Sequence, residues 1–545
     1  MADKTFDVVV VGGGNKALVT AMYLTKYGGM SVGIFEARHE LGGGWSSEEP
    51  VGGYIANTCS TQHTALYHTK VLEDFPEFED YGARFSYTGV SLGSIFEEDH
   101  SCVTVYNCFD DVDPSQEMTA REIAKFSEKD AETWISMWSK WQKYWKPAIE
   151  EWLWNPAQPF EKPDSLDKLI KNPDSGIDPL WMFMSPLQVY KDIFESIEMQ
   201  NFPARINQAW GFQPDLPGSG LGAVFFMMMF PYLYYVVGGT HQLAHAAQRI
   251  IIANGGKVFT KHPVKKIIIE NGAAKGIILE DGAQIEAKKA VVTNVDPYQL
   301  CFRLIGEEYL SAKIIRRIQN LERDWITISW YTWMLKEMPR YEAANFNPDI
   351  DRCMGIVLGN RDLNTLLVET NERKSLKWPS KPCIMTVYHG GKEEDLLAPP
   401  GSDFNVLTEA FVLPAYSMTS TEWKEAEKKH AEEIIEIWHR YAPNVTWDNI
   451  IGFNPITPYY TANQCKNYGP AGNWCVIDNI PSQFGRTRPI PEIAGHRMPI
   501  KNLYATGSAW HPDGSAHSHQ GYNCYKVMAE DLGLRKPWEE KGAPW

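Results

Sequence analysis

The chain has 545 residues, a net charge of −16, and 44% hydrophobic and 22% charged residues, a balance typical of a globular protein. It is too long for one hydrophobic core, so we expect two or three domains. The acidic balance argues against nucleic acid or an anionic membrane surface as the main partner, because both attract a positively charged surface.

No uninterrupted apolar stretch is long enough for a membrane-spanning helix, although transient contact with a membrane is left open. The first apolar strand begins within about five residues of the N-terminus, which leaves no room for a signal peptide. The nine cysteines form no C-x-x-C pair and no regular framework, which fits a reducing compartment. These features predict a cytoplasmic protein.

The first predicted elements are a strand, a glycine-rich turn and a helix. Residues 6–11 are mostly apolar and β-branched without alternation, which is typical of a strand buried in a parallel sheet. Gly12 allows a sharp turn, Gly14 leaves room for a pyrophosphate, and the small Ala17 lets the helix lie close to the sheet. The helix begins near Asn15, where free amide groups can face the phosphates. This context predicts a dinucleotide site.

Glu36 follows a second predicted strand, residues 31–35, and comes 22 positions after Gly14. A carboxylate at this point can accept hydrogen bonds from both hydroxyls of an adenosine ribose, and it repels the 2′-phosphate of NADP. We therefore predict that Glu36 and the adjacent Ala37 contact the adenosine half of the cofactor. An ordinary glycine turn is the alternative interpretation, and the complete unit of strand, helix and strand argues against it.

The continuation Arg38-x-x-x-Gly42-Gly43-Gly44-Trp45-Ser46 distinguishes between cofactors. It resembles the R-x-G-G-x-x-S/T segment that follows the dinucleotide fold in flavin amine oxidases, phytoene desaturases and their relatives. Backbone amides of a glycine run can approach a flavin diphosphate closely, which side chains would prevent. The resemblance implies FAD rather than NAD. It also implies a set of contacts: Arg38, Gly43, Gly44, Trp45 and Ser46.

The middle of the chain combines helical and apolar segments. Residues 121–154 are predicted as a helix with four tryptophans on one face, most simply for packing: Trp134, Trp138, Trp141 and Trp145. Residues 221–237 are interpreted either as buried core or as the wall of an apolar substrate channel. Residues 218–223 repeat G-x-G-x-x-A, but no strand precedes them, so we expect no second dinucleotide site.

Two later segments resemble the phytoene desaturase family closely. Residues 238–256 predict a helix between two Gly-Gly pairs, and strands separated by hairpin turns follow up to residue 293. In that family the residue matching Val264 packs on the FAD adenine, and the turn at Asn294 ends the second passage through the flavin domain. The motif at 501–508 implies further contacts to the flavin half, at Gly507, Ser508 and Gly514.

The resemblance covers the whole chain and implies an α/β fold. A Rossmann-type FAD-binding domain, with a parallel sheet and a β-meander, is interleaved with a mixed α+β substrate domain. The expected FAD-binding segments are 1–70, 238–300 and 480–545. The expected substrate-binding domain, with its helical part, covers 71–237 and 301–479. The family moves hydride between a substrate carbon and flavin N5.

Three histidines depart from the family pattern. Phytoene desaturases usually carry H-P-G-G-G-V-P-G near the flavin, whereas this chain has H-P-D-G-S-A-H-S-H, with His511, His517 and His519. Histidine transfers protons at neutral pH, so these are the candidate catalytic residues, and His519 is also a candidate flavin contact. The alternative is that they only hydrogen-bond the loop. A metal site is not expected from His517 and His519, because no acidic or cysteine partner lies nearby in the sequence.

Three functions are compatible with these features. The leading one is an FAD-dependent oxidoreductase for an apolar terpenoid, alicyclic or ring-bearing molecule, with oxygen or a quinone as electron acceptor. The second is a redox-neutral isomerase, hydratase or C–C bond hydrolase that keeps FAD. The third is a non-catalytic escort of prenylated proteins, against which the intact flavin motifs argue. The substrate, the reaction direction and the oligomeric state stay open.

Overall fold

The computed structural model describes residues 4–388, 396–399 and 404–542. The strands of this part, in chain order, are β1 (Lys4–Val11), β2 (Val32–Phe35), β3 (Ser47–Val51), β4 (Tyr54–Asn57), β5 (Gln62–Thr64), β6 (Phe85–Ser86), β7 (Val90–Phe96), β8 (Cys102–Tyr106), β9 (Leu233–Val236), β10 (Lys257–Phe259), β11 (Val264–Glu270), β12 (Ala273–Leu279), β13 (Gln284–Thr293), β14 (Ile328–Leu335), β15 (Cys353–Gly359), β16 (Ile384–Tyr388), β17 (Phe404–Phe411), β18 (Ile450–Ile456) and β19 (Leu503–Ala505).

The α-helices of the same part are α1 (Asn15–Lys26), α2 (Thr69–Asp74), α3 (Glu77–Asp80), α4 (Glu117–Ala124), α5 (Glu128–Lys140), α6 (Lys146–Leu153), α7 (Ser165–Lys171), α8 (Pro186–Ile193), α9 (Ile197–Ala209), α10 (Gly220–Met227), α11 (His241–Ala253), α12 (Pro297–Gln299), α13 (Ala312–Gln319), α14 (Asn364–Lys374), α15 (Ser420–Tyr441), α16 (Pro458–Gln464), α17 (His519–Leu532) and α18 (Pro537–Glu540).

The first seven-stranded sheet has the order β10-β2-β1-β13-β12-β11, with β19 beside β13. Strands β10, β2, β1, β13 and β19 are parallel, whereas β11, β12 and β13 form an antiparallel meander. Helix α1 follows β1 and packs against α11 and α17. The predicted α/β fold with a Rossmann-type domain is confirmed. In such a sheet, ligands bind beyond the carboxyl ends of the parallel strands.

The second seven-stranded sheet has the order β18-β14-β17-β16-β15-β7-β8. Only the β7 and β15 pair is parallel among its described pairs. Residues of α15 share a hydrophobic core with this sheet. These strands come from segments assigned above to the substrate domain, and the domain boundaries themselves stay a prediction.

The helix predicted over residues 121–154 is not continuous. It is divided into α4, α5 and α6, because Ser127 caps a new helix by accepting a hydrogen bond from the backbone of Asp130, and a wider π-helical turn spans Trp141–Trp145. The four tryptophans are at most 4% exposed, as expected of packing residues.

The apolar stretch at 221–237 forms most of α10, a short 3-10 turn and β9, and its hydrophobic residues up to Val236 are buried. Proline at 231 lies in the turn and prevents a longer helix. Among the described helices, none is both long and apolar enough to span a bilayer.

Candidate functional site

The predicted phosphate loop joins β1 to α1. Gly12 has a φ of +87°, a conformation that favours glycine, and α1 begins at Asn15 without a side-chain cap. A Cβ atom on Gly14 would overlap Oδ1 of Asn294, and one on Gly43 would lie 3.0 Å from the Cα of Gly14. The glycine at each position therefore lets the segments at residues 12–14, 43 and 294 pack closely together.

A cavity of about 530 Å³, the first cavity, opens from this loop. Its wall includes most of the predicted cofactor-binding residues: Gly12, Gly14, Asn15, Glu36, Ala37, Arg38, Gly43, Gly44, Val264, Asn294, Gly507 and Ser508. Five further predicted contacts lie outside this lining: Ala17, Trp45, Ser46, Gly514 and His519. Ala17 is fully buried, which suits its predicted role in close packing of the helix.

Glu36 lies immediately after β2 and connects two loops. Its Oε2 accepts a hydrogen bond from the backbone nitrogen of Gly13 at 2.6 Å, and its Oε1 accepts one from the backbone nitrogen of Arg38 at 2.8 Å. The carboxylate therefore holds the phosphate loop in place while it lines the first cavity. Ionised acceptors of this kind form stronger hydrogen bonds than neutral ones.

We expect Glu36→Gln to weaken FAD binding by about 1.5–3 kcal/mol, because an amide replaces a charged hydrogen-bond acceptor. Titration of the apoprotein with FAD, followed by flavin fluorescence, measures the change. Glu270→Gln, at an exposed carboxylate on β11, is the matched control. Equal FAD affinity in the two variants would show that the ribose is held by another residue and not by Glu36.

Lys16 belongs to the site, although the sequence did not reveal it. Its side chain is buried, and Nζ donates to Oγ of Ser508 at 2.9 Å and to the carbonyl oxygen of Ser515 at 2.5 Å. Burial lowers the pKa of Lys16 to about 7, although nearby Asp513 favours the charged form. Lys16 occupies one of the variable positions of G-x-G-x-x-A, so the motif carries no signal for it.

Residues 463–468 also line the first cavity and were not predicted. Nδ2 of Asn467 donates to the carbonyl oxygen of Asn294 at 2.9 Å, and Oδ1 of Asn467 accepts from the backbone nitrogen of Asp296 at 3.0 Å. These bonds hold the segment beside the turn at Asn294. Its composition, without a recognisable motif, gave no sign of this role.

Two smaller cavities lie near the first. The second cavity, about 80 Å³, is lined by residues that include Cys59, Tyr67, Glu409, Ser515 and His517. The third cavity, about 300 Å³, has a mainly apolar wall that includes Trp152, Leu221, Phe225, Met229 and Phe484. Phe226 and Asn479 line both the second and the third cavity, so these two are neighbours. Lys16 lines the first cavity and bonds to Ser515 in the second.

The three candidate catalytic histidines occupy different environments. His517 lines the second cavity. Nε2 of His511 instead donates to the carbonyl oxygen of Trp152 at 3.1 Å, and His511 lines none of the three cavities. Nε2 of His519 lies 3.7 Å from Oδ1 of Asp513, beyond hydrogen-bonding distance. Of the three histidines, His517 is therefore the one that lines one of these cavities. The catalytic roles of all three stay predictions.

Burial favours the neutral form of these imidazoles. It lowers the pKa of His511 to about 4, holds the pKa of His517 well below its usual value and lowers that of His519. A neutral imidazole can accept a proton or bind a metal ion.

Glu409 on β17 is a second functional candidate that the sequence did not reveal. It lines the second cavity, and its Oε1 accepts a hydrogen bond from Nε1 of Trp330 on β14 at 3.0 Å. Burial raises the pKa of Glu409 to about 7, although the bond from Trp330 favours the charged form. A carboxyl group that titrates near neutral pH inside a cavity is suited to proton transfer.

Known proteins resemble this chain in sequence. Residues 10–78 match the family model of an NAD(P)-binding Rossmann-like domain. The chain is 25% identical to one of the subunits of limonene dehydrogenase from Castellaniella defragrans, over 98% of this chain and 97% of that protein. It is 37% identical over 70 residues to 4,4'-diapophytoene desaturase of a Methylomonas species, which covers 12% of this chain and 14% of that protein.

A solved structure resembles it in fold. Cyclohexylamine oxidase from Brevibacterium oxydans aligns with a TM-score of 0.54 and 13% identity, over 97% of this chain and 99% of that chain. At this low identity the likeness shows a shared fold and carries no information on the substrate.

Proposed function

We propose that this chain, which resembles the phytoene desaturase-like and amine oxidase groups of flavin-type oxidoreductases, oxidises a small apolar, alicyclic or terpenoid molecule with FAD. The observation that carries this proposal is the arrangement of the three cavities. The first cavity begins at the phosphate loop, and Lys16 in its wall bonds to Ser515 in the wall of the second cavity. The second cavity shares Phe226 and Asn479 with the apolar third cavity.

The residues of the first cavity fit FAD. Gly12, Gly14 and Gly43 form a cradle in the wall of the first cavity that presents backbone and no side chains of its own. Added Cβ atoms would crowd neighbouring protein atoms, so glycine is needed for this shape, and a diphosphate can approach such backbone closely. Glu36 follows β2 at the place of a ribose acceptor. FAD would be held by this cradle and by Glu36, with its adenine end beside Val264 and its flavin end toward Lys16.

The third cavity supports a small apolar substrate. Its volume of about 300 Å³ is at the lower end of the range for small-molecule sites, so it suits a compact ring better than a long carotenoid chain. Its wall includes residues 221, 222, 225, 226 and 229, from the stretch interpreted from the sequence as a channel wall. The relative from Castellaniella defragrans is named for limonene, which is consistent with this substrate class.

The second cavity supplies the groups for proton transfer. When bound, FAD would supply a two-electron acceptor for oxidation at a substrate carbon. Oxidation also releases a proton, and the carboxylate of Glu409 accepts it. His517 lines the same cavity and orients the substrate or passes the proton onward. The aromatic and aliphatic wall of the third cavity excludes water from the reacting carbon.

Anaerobic mixing of the flavin-loaded protein with candidate substrates tests the proposal. We expect bleaching of the oxidised flavin spectrum by a cyclic monoterpene or another compact alicyclic molecule. A long linear carotenoid precursor serves as the size control and should leave the spectrum unchanged. Reduction by the linear molecule alone would contradict the proposed substrate class.

We expect Phe226→Trp to raise KM for the substrate by about tenfold with a smaller effect on kcat, because the larger indole narrows the point where the second and third cavities meet. Steady-state kinetics measures both constants. Phe160→Trp, at an exposed site 61% accessible to solvent, is the matched control. An unchanged KM in Phe226→Trp would place the substrate outside these cavities.

A redox-neutral reaction is the second candidate function, and the presence of Glu409 and His517 in one cavity favours it, because both can transfer protons without a redox change. The flavin spectrum during turnover distinguishes the two functions. A flavin that stays oxidised throughout anaerobic turnover would establish the redox-neutral one.

Oxygen or a quinone is the proposed electron acceptor. The run at 218–223 follows no strand, and within the described residues it enters α10 from a loop, which does not suit a second nucleotide site. Rapid anaerobic flavin reduction by NADH alone would contradict this part of the proposal.

A further inference from the structure

Two buried histidines five residues apart and a third, partly exposed histidine from the C-terminal region form a cluster, which we call the imidazole cluster. His63 lies on β5, His68 directly precedes α2, and His517 lies in the loop before α17. One ring nitrogen from each lies within 4.8 Å of the others. Nδ1 of His63 and Nε2 of His68 are 3.1 Å apart. The ligating nitrogen atoms of two imidazoles on one tetrahedral Zn²⁺ ion are similarly close. They lie about 3.3 Å apart when each Zn–N distance is about 2.0–2.1 Å.

The outer ring nitrogens of the first two histidines have fixed partners. Nε2 of His63 contacts Oγ of Ser60 at 3.0 Å, and Nδ1 of His68 contacts Oγ of Ser518 at 2.8 Å. Metal-binding histidines usually donate their outer N–H to such an oxygen, which fixes the tautomer and points the lone pair of the other nitrogen at the ion. Nδ1 of His517 has no hydrogen-bond partner among the described residues.

We propose that the imidazole cluster binds one divalent transition-metal ion, Zn²⁺ or a chemically similar ion, through His63, His68 and His517. The sequence predicted no metal site because residues 517 and 519 have no ligand partner nearby in the chain. Folding supplies the missing ligands from residues 63 and 68. Three neutral imidazoles leave a coordination position open for water or a substrate oxygen. Since His517 also lines the second cavity, the ion would lie beside that cavity.

The nearest charged group to the cluster is a lysine with fixed partners. Burial lowers the pKa of His63 and of His68, which favours neutral rings. Lys16 is the nearby cation, and its Nζ donates to Oγ of Ser508 and to the carbonyl oxygen of Ser515.

Metal titration of the tag-free, flavin-loaded protein at pH 8 tests the proposal. The titration uses a background variant with His241→Ala and His245→Ala. These substitutions remove a second pair of histidines, on α11, whose ring centroids are 4.9 Å apart and which could bind metal independently. After chelation and dialysis, we expect one Co²⁺ or Zn²⁺ per chain by elemental analysis, and a higher Tm with the metal present. Co²⁺ should also give visible ligand-field bands.

Substitutions separate metal binding from simple hydrogen bonding. We expect His517→Ala, in a partly exposed loop position, to remove the bound ion and the metal-dependent rise in Tm. Ser60→Ala and Ser518→Ala should each weaken the metal affinity by about 10–100-fold. His439→Ala, away from the cluster, is the matched control and should keep one ion per chain.

If the background variant contains no bound ion at pH 8, the proposal is overturned. The row of hydrogen bonds from Ser60 through His63 and His68 to Ser518 would then be a structural element only. Full metal content in His517→Ala would also overturn the proposal. Neither result depends on whether the substrate proposed above is correct, because metal content and flavin reduction are measured separately.

Discussion

Gly14→Val is expected to yield folded protein with less than about a tenth of the normal flavin content. A Cβ atom at this position would overlap Oδ1 of Asn294, so valine forces the loop away from the Asn294 turn. Because Gly14 and Asn294 both line the first cavity, this shift distorts the proposed diphosphate site. Absorbance of the purified protein at the flavin maximum gives the stoichiometry, and near-UV circular dichroism establishes that the chain is folded.

Gly52→Ala is the matched control for this substitution. Nothing lies within 4 Å of a Cβ atom added at Gly52, and its φ is not in the left-handed region, so flavin content should stay normal. If Gly14→Val is misfolded, the double variant Gly14→Ala with Asn294→Ala removes the overlapping amide, and Asn294→Ala alone is its control because Asn294 also lines the first cavity. Stoichiometric flavin in folded Gly14→Val would refute the assignment of the phosphate loop.

Glu409→Gln is expected to lower turnover by about 10²–10⁴-fold while FAD stays bound, because the amide cannot accept the proton released in substrate oxidation. Burial raises the pKa of Glu409 to about 7, and only its ionised form acts as a base. Turnover of the unaltered protein should therefore rise as the pH increases through about 7. This rising limb should be absent in Glu409→Gln, and single-turnover flavin reduction across the pH range measures it.

Trp330→Phe distinguishes a base from a structural residue at this position. Removing the indole removes the hydrogen bond that favours ionised Glu409, so the rising limb should move to higher pH. Glu427→Gln, at a partly buried carboxylate of α15 that lines none of the three cavities, is the matched control. Turnover in Glu409→Gln within about threefold of normal, with the same pH limb, would exclude Glu409 as the base.

The sequence did not determine which of the C-terminal histidines reach the site. Motif comparison placed His511, His517 and His519 together near the flavin, since they fall within nine residues. In the folded chain Nε2 of His511 donates to the carbonyl oxygen of Trp152, a residue of the third cavity, while His511 itself lines none of the three cavities. The direction of each side chain depends on that distant packing, and local sequence contains no information about it.

The sequence alone determined the fold class and the family resemblance, and it predicted the position of the phosphate loop. These depend on residues close together in the chain: glycine turns directly after β1, a carboxylate directly after β2, and apolar periodicity within each element. The sequence carries these signals because the backbone conformation and hydrogen bonds of a unit of strand, helix and strand depend on residues that are close together in the chain.

Only the tertiary structure brought together Lys16, Glu409 and the imidazole cluster. His68 and Ser518 are 450 positions apart in the chain yet hydrogen-bonded, and Lys16 and Ser515 are separated by 499 positions. A single lysine, glutamate or histidine has no distinctive spacing. Its function follows from burial, which shifts its pKa, and from neighbours that meet it only when separate elements pack together.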